Sequence, residues 1–394
     1  MRFLALAVLG LLAQEDLQKR RDATAARLEE LRGLSFKTPP AIRAGTRREY
    51  AAFALENARR VYGQDLAAAE KALKTLGLLP PLLRLDLAVT AHAGFGVKVF
   101  CSGGGILLLD PAAPDDLLLN KMALGLLDQH FAPDVPATFD ARMAFAALRM
   151  GDAELAKHLF WHRGRLPDDH ARKTAAEAAD WEKGASRIAS AVLPRIFVRT
   201  ADFPWRRGAA FAAALHAEGG LPRLNRAWAA PPSSTEHVLH PEKYLAGERP
   251  VEIGLDALDE VLAARGYRPA WRSVFGELGT ALVLETHFPR EDLAAASEGW
   301  GGDALALYEK DGQPPLAAWV TEWDTEKDAA EFEAPAGRLA GALSGSADTL
   351  LSEAHRRKAG VALLVNAPKE MRDALVEALW KGSRKKDPPE PPGR

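Results

Sequence analysis

A chain of 394 residues, 47% hydrophobic and 26% charged, carries enough apolar material for more than one core. Its formal net charge is −2, with Lys and Arg mixed among Asp and Glu, which argues against nucleic acid or an anionic membrane surface as partner. The single cysteine, Cys101 in V-F-C-S-G, excludes an internal disulfide framework and reads as a buried thiol.

After Met1-Arg2 the apolar run Phe3–Ala13 is too short to span a bilayer and matches an export-signal core. Residues 1–14 are therefore expected to be a signal peptide. The protein would then be periplasmic or extracellular, with no stable membrane insertion after cleavage. Residues 15–39 read as a surface helix stopped at Gly33, then a linker broken by Pro39-Pro40. Glu49–Leu79 reads as a helical hairpin with stops at Gly63 and Gly77. Leu85–Thr90 alternates and reads as extended, as do Val97–Phe100 and Ile106–Leu109, with turns at Gly94, Gly96 and Gly103–Gly105. Helices follow at Leu117–Phe131, Asp140–His162 and Asp168–Leu193, then shorter ones at Gly208–His216 and Leu224–Ala229 around Gly219-Gly220. Ser233-Ser234-Thr235-Glu236 caps another, interrupted at His240-Pro241.

Beyond Pro250 the composition shifts. Leu255–Arg265, Ser273–Phe288, Glu326–Leu343 and Glu370–Trp380 read as helices, and Ala304–Tyr308, Leu316–Trp323 and Val361–Val365 as strands. The tail 381–394 is polar and Pro-rich and is expected to be disordered. The predicted fold class is α+β. A mainly helical domain with a small antiparallel sheet over 40–250 precedes a smaller α+β domain over 251–380.

Several residues qualify for chemistry. Glu154, His158 and His162 recur every four residues on one helix, a spacing that suits zinc. His237 and His240 flank a turn and are candidates for binding, against the simpler role of fixing that turn. Trp300, among Gly299, Gly301 and Gly302, is a candidate contact at a loop tip. His92 and His130 read as structural. Ser233–Glu236 reads as a cap rather than a nucleophile, and Gly103–Gly105 lacks the Gly-Lys-Ser/Thr of a phosphate loop.

The stretch L-L-L-N-K-M-A-L-G-L-L-D-Q-H-F (117–131), followed by Met150-Gly151-Asp152-Ala153, resembles the metal helix and partner helix of secreted bacterial zinc metallopeptidases of the gluzincin kind. Relatives of that kind carry H-E-L-T-H-A-L-Q-D-Q-H-F and E-G-D-A there. The resemblance extends through Phe203-Pro204-Trp205 with Gly208, P-P-S-S-T-E-H-V-L-H-P-E-K-Y (231–244), G-W-G-G-D (299–303) and T-E-W-D (321–324). Anchored on Asp128–Phe131, it places Asn120 and Leu124 on the two ligand histidines, Lys121 on the general-base glutamate and Met150 on the third ligand. Leu and Met offer zinc no suitable donor, an amide is a weak one, and a lysine repels a dication. What the resemblance implies is thus a degenerate, zincin-like domain without a metal cofactor or catalytic residues: an exported scaffold for a peptide or envelope protein. Two alternatives are a working hydrolase with a relocated metal at Glu154, His158 and His162, and an envelope adaptor acting through the C-terminal domain.

Overall fold

The computed structural model describes residues 2–92, 97–131, 134–183, 193–288, 296–345 and 347–389. The side chains of residues 2–16, and of Ala91 and His92, lie outside that description, and so does the role expected for His92. The fold is α+β.

The first part opens with α1 (Arg2–Arg32), β1 (Ile42–Ala44), α2 (Arg47–Tyr62), α3 (Leu66–Thr75) and α4 (Leu85–His92). Thr46 and Glu49 start α2 with a reciprocal capping box, and the Asp65 carboxylate starts α3. Leu85–Thr90 corrects the expectation of an extended segment. Leu85 and Ala88 are buried while Leu87 is exposed, so the apolar contacts follow helical spacing rather than alternation. The Glu70 carboxylate accepts from Leu85 N at 2.8 Å, so the signal that starts the helix comes from α3.

Strands β2 (Val99–Ser102) and β3 (Gly105–Leu108) form the expected antiparallel hairpin. Both of its turn residues, Gly103 and Gly104, have φ above +50°, a geometry that glycine adopts without strain. Strand β1 joins β3 in parallel, a pairing the sequence reading did not include.

Then come α5 (Asp115–His130), α6 (Phe139–Trp161), α7 (His170–Lys183) and α8 (Arg195–Ala229). The break expected at Gly219-Gly220 is present: α8 is two helical stretches that meet at a kink where both glycines leave helical geometry, and the first stretch begins at Arg195, well before the expected Gly208, with Pro204 inside it. Helix α6 is the hub, touching α1, α2, α5 and α8. At its crossing with α8 the two backbones meet. A Cβ on Gly151 would overlap the carbonyl of Gly208, and one on Gly208 would overlap that of Ala147. One residue on, Asp152 is buried, accepting from Trp228 Nε1 at 2.8 Å and from Arg32 Nη2 at 3.0 Å, which docks the end of α1.

Two short helices, α9 (Thr235–Leu239) and α10 (Pro241–Ala246), lead to β4 (Glu252–Ile253) and α11 (Asp256–Ala263). After β5 (Arg268–Ser273) and α12 (Gly276–His287), the chain forms β6 (Trp300–Glu309), β7 (Leu316–Trp323), α13 (Glu326–Leu343), β8 (Leu350–Arg357) and β9 (Gly360–Pro368). Helix α14 (Arg372–Lys381) and β10 (Arg384–Lys385) close it. The five-stranded sheet runs β5-β6-β7-β9-β8, antiparallel throughout.

Both faces of its central strands are buried. Leu305, Leu307, Trp319, Leu363 and Val365 join a cluster that continues into α6 and α8, whereas Ala306, Tyr308, Val320 and Leu364 pack with α11 and α14. The apolar core is thus continuous across residue 250, where the composition shifts. Part of the tail is ordered, contrary to expectation. Strand β10 pairs with β4, Gly254 N donates to Ser383 O at 3.0 Å, and Lys386 reaches Glu248 at 3.0 Å.

Helix glycines separate the two uses of a missing side chain. Gly208→Ala is expected to cost more than about 3 kcal/mol in urea unfolding, because the new methyl meets backbone rather than a movable side chain. Gly125→Ala in α5 meets nothing within 4 Å, and should stabilise by roughly 0.5–1 kcal/mol.

Candidate functional site

Helices α5 and α6 run antiparallel and are joined at two levels. Asn120 Nδ2 donates to Glu154 Oε1 at 2.8 Å, and Arg149 Nε donates to Asp128 Oδ1 at 2.6 Å. Between these cross-links lie Leu124, buried, and Met150, packed against the same core. The four positions singled out by the resemblance therefore belong to one interface.

Its polar centre is Glu154, a buried carboxylate. Oε1 takes the Asn120 amide, and Oε2 takes Lys157 Nζ at 2.5 Å. Lys121 Nζ lies 3.2 Å from Asn120 Oδ1, so a chain of bonds runs from Lys121 through Asn120 to Glu154 and Lys157. The indole of Trp205, from α8, lies 5.4 Å from Lys121 Nζ and 5.7 Å from Lys157 Nζ and covers both ammonium groups with its π face. Burial raises the Glu154 pKa against the pull of Lys157, and lowers that of Lys121. Cys101 Sγ rests 3.7 Å from the Lys121 carbonyl, and burial raises its pKa.

The stripe Glu154, His158, His162 does not close around a metal. Glu154 is engaged as above, His162 is exposed, and His158 Nδ1 faces His170 Nε2 at 3.1 Å instead. Burial and the nearby His170 lower the His158 pKa to about 4. Among the described residues no group of three or more His, Cys, Asp or Glu could hold a metal ion.

His237 and His240 lie together in the predicted turn, and both make structural bonds. His237 is buried, with Nε2 donating to Glu248 O at 2.7 Å and Nδ1 accepting from Ser233 N at 3.3 Å. His240 Nε2 contacts the Glu277 carboxylate at 3.1 Å, which raises the imidazole pKa. Around them, Thr235 binds buried Asp140 and accepts from Leu278 N at 3.1 Å, and Lys243 bridges Glu236 and Asp324 at 2.6 Å each. The segment 231–244 thus ties α6 to α12 and to the end of β7.

Trp300 is a correction. It is fully buried in β6, not at a loop tip. Its neighbouring glycines serve close packing, since a Cβ on Gly302 would overlap the Val251 carbonyl and one on Gly299 would meet Asp328. Trp300 Nε1 donates to Asp303 Oδ1 at 3.2 Å. The same carboxylate accepts from Trp319 Nε1 at 3.0 Å, Gly276 N at 2.8 Å and Phe275 N at 2.9 Å. Burial nonetheless pushes its pKa up to about 6.

Two members of the α5–α6 centre are not read from the sequence as site residues. Lys157 stands three residues from Glu154, a spacing that puts both on one helix face and carries the signal. The placement of Trp205 over the lysines depends on the α8 crossing and has no local signal.

A family model described as a domain of unknown function, DUF8575, matches residues 267–374, which span β5 to the start of α14. No curated protein and no solved structure matches the chain.

His237 supplies a pH test. Its folded pKa of about 4, set by burial, lies below the unfolded value of about 6.5, so the unfolded chain binds the extra proton between them. The contribution is complete above pH 6.5 and lost on acidification towards pH 4, where protonated Nδ1 would face the Ser233 N–H. Relative to His237→Gln, the wild type should lose about 2 kcal/mol between pH 7 and pH 5, read from urea midpoints. An unchanged gap would show that His237 is not buried as a neutral acceptor.

Proposed function

We propose that the chain is a catalytically inactive relative of the secreted zinc metallopeptidases, acting outside the cytoplasm as a peptide- or protein-binding scaffold. The observation that carries this reading is the buried bond from Asn120 to Glu154. A zinc-ligating histidine commonly gives its second ring N–H to a carboxylate, which fixes its orientation. Asn120 stands at the first ligand position of the resemblance, and its amide engages a buried carboxylate as that ring N–H would.

The rest of the centre does not fit a metal. Leu124 and Met150 bring no donor that zinc prefers. Lys121 and Lys157 place two ammonium groups around one carboxylate, and their charge disfavours a nearby dication. With Lys121 at the general-base position, no carboxylate is left there to activate water. No catalytic step is derived through zinc for these residues. The helix pair is retained because α6 organises the fold, and its former ligand positions supply core contacts and, through Asn120, a hydrogen bond to the buried Glu154–Lys157 pair. The apolar run at Phe3–Ala13 supports export, with residues 1–14 absent from the secreted chain.

The reading is tested in both directions. After exhaustive dialysis, elemental analysis should find well under about 0.1 zinc per chain, and stoichiometric zinc would sink the proposal. The combined variant Asn120→His, Lys121→Glu, Leu124→His and Met150→Glu should then take up about one zinc per chain. A variant that keeps its circular dichroism spectrum yet binds no zinc would show that the four positions do not converge.

A further inference from the structure

At one end of the five-stranded sheet, remote in sequence from the α5–α6 centre, is a cavity of about 260 Å³. It opens where the β6–β7 turn meets the start of β8 and the end of β9. Part of its wall is apolar, formed by buried Tyr267 and Met371 with Pro368. Three charged side chains line it: Arg265 just after α11, Lys310 at the end of β6 and Glu370 just after β9.

Among the described residues none of these three forms an ion pair, with each other or elsewhere, although all border one cavity. Tyr267 relates the opposite charges to one another. Lys310 Nζ lies 5.4 Å from its ring centroid, held by the π face, and the charge of Glu370 adds to burial in raising the pKa of its phenol. Charges of both signs that share a cavity without pairing are complementary to a ligand that carries both signs itself. The cation excess gives the ligand's anion two partners, one of them a guanidinium able to grip a carboxylate through two N–H groups. The volume lies below the usual range for drug-sized ligands, so the ligand is small.

We propose that this cavity binds a small zwitterion of amino-acid to dipeptide size, its carboxylate between Arg265 and Lys310 and its ammonium at Glu370, against the Tyr267–Met371 wall. The proposal does not rest on the metallopeptidase reading. All its lining residues except Arg265 fall inside the span that the domain of unknown function matches.

The test uses the full chain and L-alanyl-L-alanine, followed by NMR shifts of the Met371 methyl group. Saturable shifts are expected. N-acetyl-alanyl-alanine and alanyl-alanine amide, each lacking one charge, should bind about fivefold or more weakly. Glu370→Gln should weaken the parent dipeptide by a similar factor while leaving the N-acetylated peptide, which has no ammonium, unaffected. Lys310→Met should weaken the parent while leaving alanyl-alanine amide, which has no carboxylate, unaffected. All three side chains are at least partly exposed, so these variants are expected to fold. Absence of saturable binding up to about 20 mM would overturn the proposal. Equal affinity of the parent and both blocked peptides would also overturn it, by reducing the cavity to an apolar notch.

Discussion

The arrangement of the helices follows from one contact, the place where α6 and α8 touch backbone to backbone. Gly151 and Gly208 leave no room for a methyl group, so the two axes come closer than side chains would allow. That approach brings the α8 side chains over α6: Trp228 reaches Asp152, and Trp205 reaches the lysines beside Glu154. The buried Arg32–Asp152 pair then fixes α1 on the same helix. Removing one partner would strand a charge without water, at a cost of about 3–5 kcal/mol.

A second layer of buried polar groups joins this helical part to the sheet. Asp140 holds Thr235 at the start of α6, and Asp303 collects N–H groups from two tryptophans and from the turn that opens α12. A carboxylate with that many donors fixes directions, since each N–H has one favourable approach. Further side chains of the segments 231–244 and 321–324 brace the same region. Ser234 caps α9, Tyr244 donates to Ala230 O, and Trp323 donates to Thr321.

The strands β6, β7 and β9 were legible because both faces are buried, which leaves near-continuous apolar runs such as A-L-A-L-Y and V-A-L-L-V. Helices with strong caps, α2 at Thr46 and α13 at Thr325, were placed to within a few residues. The edge strands β5 and β8 escaped, since R-P-A-W-R-S and L-L-S-E-A-H-R-R are half exposed and polar, and their pairing comes from partners distant in sequence. Trp300 misled for a definite reason. Glycine beside tryptophan signals a flexible tip or a backbone that must be approached closely, and only the position of Val251 and Asp328 decides between them. At the site, Asn120, Lys121, Leu124 and Met150 were found through the resemblance. The ion pair of Lys157 and Glu154 between the two helices needed the fold.

The sheet's second apolar face has a consequence for how this protein can be divided. The matched span, 267–374, contains the strands but not α11, and only the first residues of α14, and these two helices cover Ala306, Tyr308, Val320 and Leu364. Cut at the borders of the match, the strands would face water with a greasy side and stick to one another. What is recognisable as a recurring unit is thus smaller than what can fold. Covering helices need only an apolar stripe, which many different sequences supply, so they can drift beyond recognition while remaining indispensable. A portable piece of this protein would have to run from β4 to β10, and would still need a substitute for the helices on its other side.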